Sequence, residues 1–165
     1  MLVSLQEDII MRKNKHLSFE ERSTIKFMLD QSASFKQIAR SLGRDCTTIS
    51  KEVRNHISFK KSGCFGHSFN DCSNRSHCPV SGLCSNPDCH SKRCSNCSSC
   101  HLYCPHYSKQ LCPALSKPPY VCNGCSKRTR CTLEKHLYSA SFAQMEYQQT
   151  LSLIHISEPT RRVVI

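Results

Sequence analysis

The chain has 165 residues, a net charge of +11 and a pI near 9.1, enough for one ordinary domain or two small ones. With 38% hydrophobic residues, 7% aromatics and no Trp, a single large buried core is excluded, and fourteen cysteines beside five glycines point to another way of holding part of the chain together. The cationic balance favours a polyanionic partner, nucleic acid first, whereas no apolar run reaches the ~18 residues of a bilayer span and Glu7 and Asp8 ahead of Ile9 and Ile10 do not read as an export signal.

Composition divides the chain into three parts. Residues 1–60 carry 11 basic and 7 acidic residues and one cysteine, Cys46. Residues 61–135 carry the other 13 cysteines, with 10 basic and 3 acidic residues. Residues 136–165 carry no cysteine and balanced charge. No internal repeat is evident, so a solenoid is not indicated.

The first part reads as helices behind a flexible tail at 1–14. Ser18-Phe19-Glu20-Glu21 is a capping box: a hydroxyl for an orphan amide, and a carboxylate three residues on that reaches back. Ile25, Met28 and Leu29 follow at the spacing of one helix face. Gln31-Ser32-Ala33 breaks the pattern, and Ser34-Phe35-Lys36-Gln37 is a second capping box. Ile38, Ala39 and Leu42 continue a short helix that Gly43 is placed to end. Asp45 can cap a third helix that buries Ile49 and Val53.

Two short helices joined by Leu42-Gly43-Arg44-Asp45 have the sequence form of a helix-turn-helix. At ~100° per residue, the face opposite Ile49 and Val53 carries Thr47, Thr48, Lys51, Arg54 and Asn55, with Glu52 on the flank. Hydroxyls, an amide and two cations are groups that read base edges and phosphates. Lys36 and Arg44 are expected to add phosphate contacts. The alternative is an ordinary helical hairpin with a solvated polar face.

The middle part contains three C-x-x-C pairs, Cys94/Cys97, Cys97/Cys100 and Cys122/Cys125. Two thiolates so spaced on a tight turn can grip one tetrahedral ion. Asn123-Gly124 supplies such a turn, with Cys131 as a third ligand and Cys112 as a fourth. Cys94, Cys97, Cys100 and Cys104 could supply one site or parts of two. His67, His77, His90, His101 and His106 could replace some thiolates. The partition among sites stays open.

Two or three structural Zn2+ ions are expected, supplying folding energy that so few large apolar residues cannot. Two alternatives remain. The run Cys94-x2-Cys97-x2-Cys100-x3-Cys104-Pro105 matches a bacterial ferredoxin pattern, though in polar surroundings. A disulfide framework would need an oxidising compartment. Lys92, Arg93, Lys109, Lys117, Lys127, Arg128 and Arg130 could touch phosphates or serve only solubility.

Residues 15–56, KHLSFEERSTIKFMLDQSASFKQIARSLGRDCTTISKEVRNH, resemble the N-terminal helix-turn-helix of bacterial insertion-sequence transposases of the IS-thirty family. Phe35, Ile38, Ala39, Leu42, Gly43, Arg44, Thr48, Ile49, Ser50, Glu52, Val53 and Asn55 carry the likeness. Residues 111–152 are similar to a cysteine-bearing branch of that family. The family often has Ser-Pro where this chain has Asp45-Cys46; Asp caps as well as Ser.

The resemblance implies binding to double-stranded DNA at the terminal inverted repeats of a mobile element, in the bacterial cytoplasm and without a membrane. It leaves a homo-oligomer open. It also implies a ribonuclease-H-like domain with an Asp, Asp, Glu triad and Mg2+. The acidic residues after 60 (Asp71, Asp88, Glu134, Glu146 and Glu158) do not supply that triad, so no catalytic residue is assigned and the chain alone is expected to be inactive.

Residues 151–161, LSLIHISEPTR, resemble a translated sequencing adapter, so 151–165 are set aside as a tail and the reading frame is taken as truncated. The alternative is a short edge strand over 151–156, ended by Pro159.

The expected fold is thus a small multi-part chain. It has an all-α helix-turn-helix domain at 15–60, an irregular zinc-stabilised cysteine-rich region at 61–135, and a C-terminal helix beginning in 136–150. The expected function is DNA binding for transposition. The rival is a stand-alone transcription regulator with a zinc or redox-sensing domain, and a metal-storage protein ranks last.

Overall fold

The computed structural model describes residues 16–84 and 91–157, with side chains described as far as Leu153. The expected tail at 1–14, Asp88, Cys89, His90 and the adapter-like residues 158–165 lie outside the described residues.

Three capped helices open the fold. Helix α1 (Phe19–Asp30) begins where Ser18 Oγ accepts from the Glu21 amide at 3.2 Å and the Glu21 carboxylate accepts from the Ser18 amide at 2.8 Å. Helix α2 (Phe35–Leu42) begins with the same reciprocal pair between Ser34 and Gln37. Gly43 ends α2 in the left-handed region at φ +55°, a conformation that a Cβ would strain. Helix α3 (Cys46–Asn55) is capped by Asp45, whose carboxylate accepts from the Thr47 amide at 2.7 Å. Each such cap contributes about 1 kcal/mol.

The helices converge on Ile25, Leu29, Phe35, Ile38, Ala39, Ile49 and Val53, all buried. Three residues from far along the chain complete this cluster: Val121, Tyr138 and Ala143. The core of the helical unit is therefore shared with the segments that follow it. Burial of each large aliphatic side chain stabilises by roughly 1.5–3 kcal/mol, so a lost contributor would be felt.

A two-stranded antiparallel sheet makes the link. Strand β1 (Ile57–Lys60) pairs with β2 (Lys135–Tyr138), Ile57 opposite Tyr138 and Lys60 opposite Lys135. The sequence reading contained neither strand. The C-terminal helix expected to begin within 136–150 is α5 (Ala140–Ser157), which follows β2. Four-residue strands carry little local signal, and these meet across some 78 residues of chain. Helix α5 packs against α1, where the small side chain of Ala143 is fully buried and permits close approach. Residues 151–157 continue α5, so the edge strand considered for 151–156 does not form.

Between the strands the backbone is irregular. Among the described residues it has one short helix, α4 (Cys100–Tyr103), and 3-10 turns at Cys94–Asn96, Pro113–Ser116 and Arg128–Arg130. Buried polar side chains take the place of an apolar core there. Asn70 donates to the Ser95 carbonyl and to Cys100 Sγ and accepts from the Cys72 amide. The buried Lys135 ammonium donates to the carbonyls of Ser62, Cys131 and Leu133, tying both ends of the lobe together.

Candidate nucleic-acid interface

Helix α3 sorts its residues by helical period. Ile49 and Val53 are fully buried, and Thr47, Thr48, Lys51, Arg54 and Asn55 are exposed. Those five form one polar face. Thr47 is partly committed: its hydroxyl donates to Asp45 Oδ1 at 2.6 Å. That bond and the Thr47 amide hold the Asp45 carboxyl below the usual Asp range, so the cap is ionised at neutral pH. Lys36 is exposed on α2.

Arg44 is differently placed. Its guanidinium grips Glu21 at two points, Nε to Oε1 at 2.7 Å and Nη2 to Oε2 at 3.0 Å, with 13% of the side chain exposed. A phosphate contact from Arg44 would have to share or break that pair. Glu52 was placed on the flank of α3, but the structure buries it. Its Oε1 accepts from Arg22 Nε at 2.8 Å and from the Tyr138 hydroxyl at 3.0 Å. Desolvation of an unpaired carboxylate is costly, and these two donors offset it.

The network extends outward from this pair. Arg22 Nη1 donates to the Leu17 carbonyl and to Gln144 on α5, and its guanidinium lies over the Tyr147 ring at 4.7 Å. His56, just past α3, has Nδ1 2.7 Å from Glu146 Oε2 on α5. The buried side and C-terminal end of α3 are thus fastened to α1, β2 and α5. Reading from sequence alone missed Arg22, Glu52, His56, Tyr138 and Glu146. A signal existed for the first two: Arg22 stands three residues before Ile25, and Glu52 three after Ile49, both on buried stripes.

The cysteine-rich lobe reaches the helices through the Cys122–Cys125 turn. Asn123 is buried there, donating to Asp30 Oδ1 and to the Tyr138 carbonyl and accepting from the Tyr138 amide. The Ser32 hydroxyl donates to the Gly124 carbonyl at 2.8 Å. Two residues earlier, Tyr120 sets its ring 5.3 Å from the Arg54 guanidinium carbon.

The thiols fall into two groups. Cys72, Cys78, Cys94, Cys100 and Cys104 line a cavity of about 10 Å3. Burial, then the proximity of Cys72, raises the Cys100 thiol to about 11, with Cys97 and Cys104 adding to the effect. Cys122 is likewise raised, first by burial and then by Cys125, Cys112 and Cys131. Cys72 and Cys78 were not among the expected ligands. The thirteen described cysteines are free thiols. All-sulfur donor sets suit zinc in kind. Among the described residues no three His, Cys, Asp or Glu side chains are grouped to hold an ion.

Residues 13–56 match the family model described as a helix-turn-helix domain. This segment is a helix-turn-helix domain. No curated protein and no solved structure matches the chain. The helix-turn-helix supplies a capped first helix, a Gly43-centred turn and an exposed polar face on the helix that follows. No helix among the described residues is long and apolar enough to cross a membrane.

Proposed function

We propose that this chain is the sequence-specific DNA-binding part of a DDE-type transposase and reads the terminal inverted repeats of an insertion element. The observation that carries the reading is the exposed face of α3, where Thr47, Thr48, Lys51, Arg54 and Asn55 stand together on a helix-turn-helix domain of a strongly cationic chain. In such domains the helix after the turn enters the major groove, and flanking groups contact phosphates. An Arg suits the O6 and N7 acceptors of guanine, and an Asn suits adenine. Arg54 and Asn55 take those roles, Thr47 and Thr48 contact base edges or phosphates, and Lys51 and Lys36 neutralise phosphates. The transposase assignment rests on the resemblance of residues 15–56 and 111–152 and on this type of domain being found in transposases and integrases.

No catalytic step is assigned to the described residues. Asp71 accepts from the Tyr107 hydroxyl, Glu134 pairs with Lys109 and Glu146 pairs with His56, three separate places in the fold. The cysteine-rich lobe is proposed to be braced by two to three zinc ions held by thiolates, with Cys94, Cys97, Cys100 and Cys104 serving one region and Cys112, Cys122, Cys125 and Cys131 another. Elemental analysis of the purified chain measures that stoichiometry. The proposed setting is the bacterial cytoplasm, in association with the nucleoid.

The test is a mobility-shift titration of the full chain against the element's terminal repeat and a shuffled duplex of equal composition. The repeat should bind more tightly, and affinity for both should fall as salt rises. Equal affinity for the two duplexes would remove sequence-specific reading.

A further inference from the structure

Tyr120 has φ +63°, in the left-handed region that bulky side chains avoid. Such a conformation persists only where the surroundings over-determine it. Three contacts do so here. The Tyr120 amide donates to the Lys117 carbonyl at 2.9 Å, closing a turn. The next residue, Val121, is buried in the core of the helix-turn-helix. The Tyr120 ring sits 6.2 Å from the Phe35 ring, inclined at 39°. The outcome is an aromatic face beneath Arg54, whose guanidinium carbon lies 5.3 Å from the ring centroid.

We propose that Tyr120 is a positioning residue for DNA reading: its ring holds the Arg54 guanidinium in the orientation that α3 offers to the duplex. A guanidinium is planar, and a ring attracts it through its face, which leaves the N–H donors in its plane for a base edge or phosphate. Arg54 is exposed, so its outer side is open to such a partner. An unsupported Arg samples many rotamers and loses that freedom on binding; a ring that already narrows the choice reduces the loss. The cysteine-rich lobe thereby contributes to recognition through one side chain of the helix-turn-helix. This inference rests on α3 being the DNA-reading element.

The bland alternative is that Tyr120 only fills space beside Phe35. Four variants of the full chain separate the two. Tyr120→Phe keeps the ring. Tyr120→Leu keeps apolar bulk and removes the ring. Tyr120→Gly removes the side chain but accepts positive φ without strain, which guards against a variant that fails to fold. Arg54→Ala closes a double-mutant cycle with Tyr120→Leu. The probe is a duplex enriched from a random-sequence pool by the wild-type chain, and affinity is read by fluorescence anisotropy.

Tyr120→Phe should bind like wild type, and Tyr120→Leu and Tyr120→Gly should bind about 2- to 10-fold more weakly. In the Arg54→Ala background, Tyr120→Leu should change nothing further. Wild-type affinity in Tyr120→Leu and Tyr120→Gly would overturn the proposal, as would the same loss with and without Arg54. A wild-type chain that enriches no duplex would overturn the DNA reading itself and this proposal with it.

Discussion

Arg22 Nε and Glu52 Oε1 stand 2.8 Å apart and join α1 to α3, with only 3% and 8% of their side chains exposed. Removing one partner of a buried pair leaves the other charge without compensation, a cost of roughly 3–5 kcal/mol. Glu52→Ala also strips the acceptor from the Tyr138 hydroxyl. Urea denaturation should show a loss of about that size, with Glu52→Gln in between. A loss under about 1 kcal/mol would mean that the pair is dispensable.

On the opposite side of α3, Arg54→Ala should weaken specific binding by roughly 1–3 kcal/mol and relax preference at one base pair. Lys51→Ala should weaken all duplexes alike and lower the salt slope by about 1. Because both side chains are exposed, neither change should move the melting temperature by more than a few degrees. Competition titrations with single-base variants of the repeat distinguish the two behaviours.

Acid should loosen the first turn of α1. The hydrogen bond from Arg44 holds the Glu21 carboxyl below the usual Glu range, against a partial burial that raises it. A carboxyl lowered in the folded state adds stability above its unfolded pKa and loses it as pH falls through the folded one. Stability of the wild type should therefore drop as pH descends below the ordinary Glu value, and Glu21→Gln should flatten that part of the curve. At neutral pH Glu21→Gln should cost about 1 kcal/mol, since the capping amide survives and the ion pair does not. Thermal melts across the acid range provide the comparison.

At Gly124 the cysteine-rich lobe packs tightly against the end of α1 and Ser32. A Cβ there would fall 2.6 Å from the Leu29 carbonyl oxygen and would also collide with Ser32. Backbone atoms cannot swing aside as a side-chain tip can, so Gly124→Ala must push the turn off the end of α1. The Asn123 bonds to Asp30 and Tyr138 would lengthen with it. A destabilisation of roughly 2–4 kcal/mol is expected, because each buried polar group left unsatisfied costs about 1–3 kcal/mol. Amide exchange should rise at Tyr138, whose N–H bonds Asn123. Unchanged exchange there would show that the turn tolerates the methyl.

If zinc braces the lobe, a chelator should act at a distance. Loss of metal would release the turn that carries Val121 and Asn123, and the core cluster would lose Val121. Circular dichroism should show a lower melting temperature for the helical signal, restored by added zinc. A melt indifferent to chelator in a metal-loaded chain would contradict the bracing role.

Local chemistry was the part most legible in the sequence. Ser18, Ser34, Asp45 and Gly43 announce helix ends because capping involves residues a few positions apart, and all four do so here. The alternation that exposes Thr48 and buries Ile49 is equally local. What stayed hidden depends on pairs remote in the chain: Ile57 with Tyr138, Arg22 with Gln144, Arg54 with Tyr120. No periodicity encodes which distant residue completes a core or supports a guanidinium. Glu52 shows the middle case. The helical wheel sets it on the flank of α3, and the partners that make its burial tolerable are remote in the chain and not revealed by the sequence.

The shared core sets a limit on how this helix-turn-helix can be borrowed. A graft that ends at His56 would leave behind Val121, Tyr138 and Ala143, opening hollows among Ile25, Leu29 and Val53 and stranding the Glu52 carboxylate from one of its two donors. A graft of the helix-turn-helix should therefore carry the β1–β2 pair and the opening turns of α5 along with it.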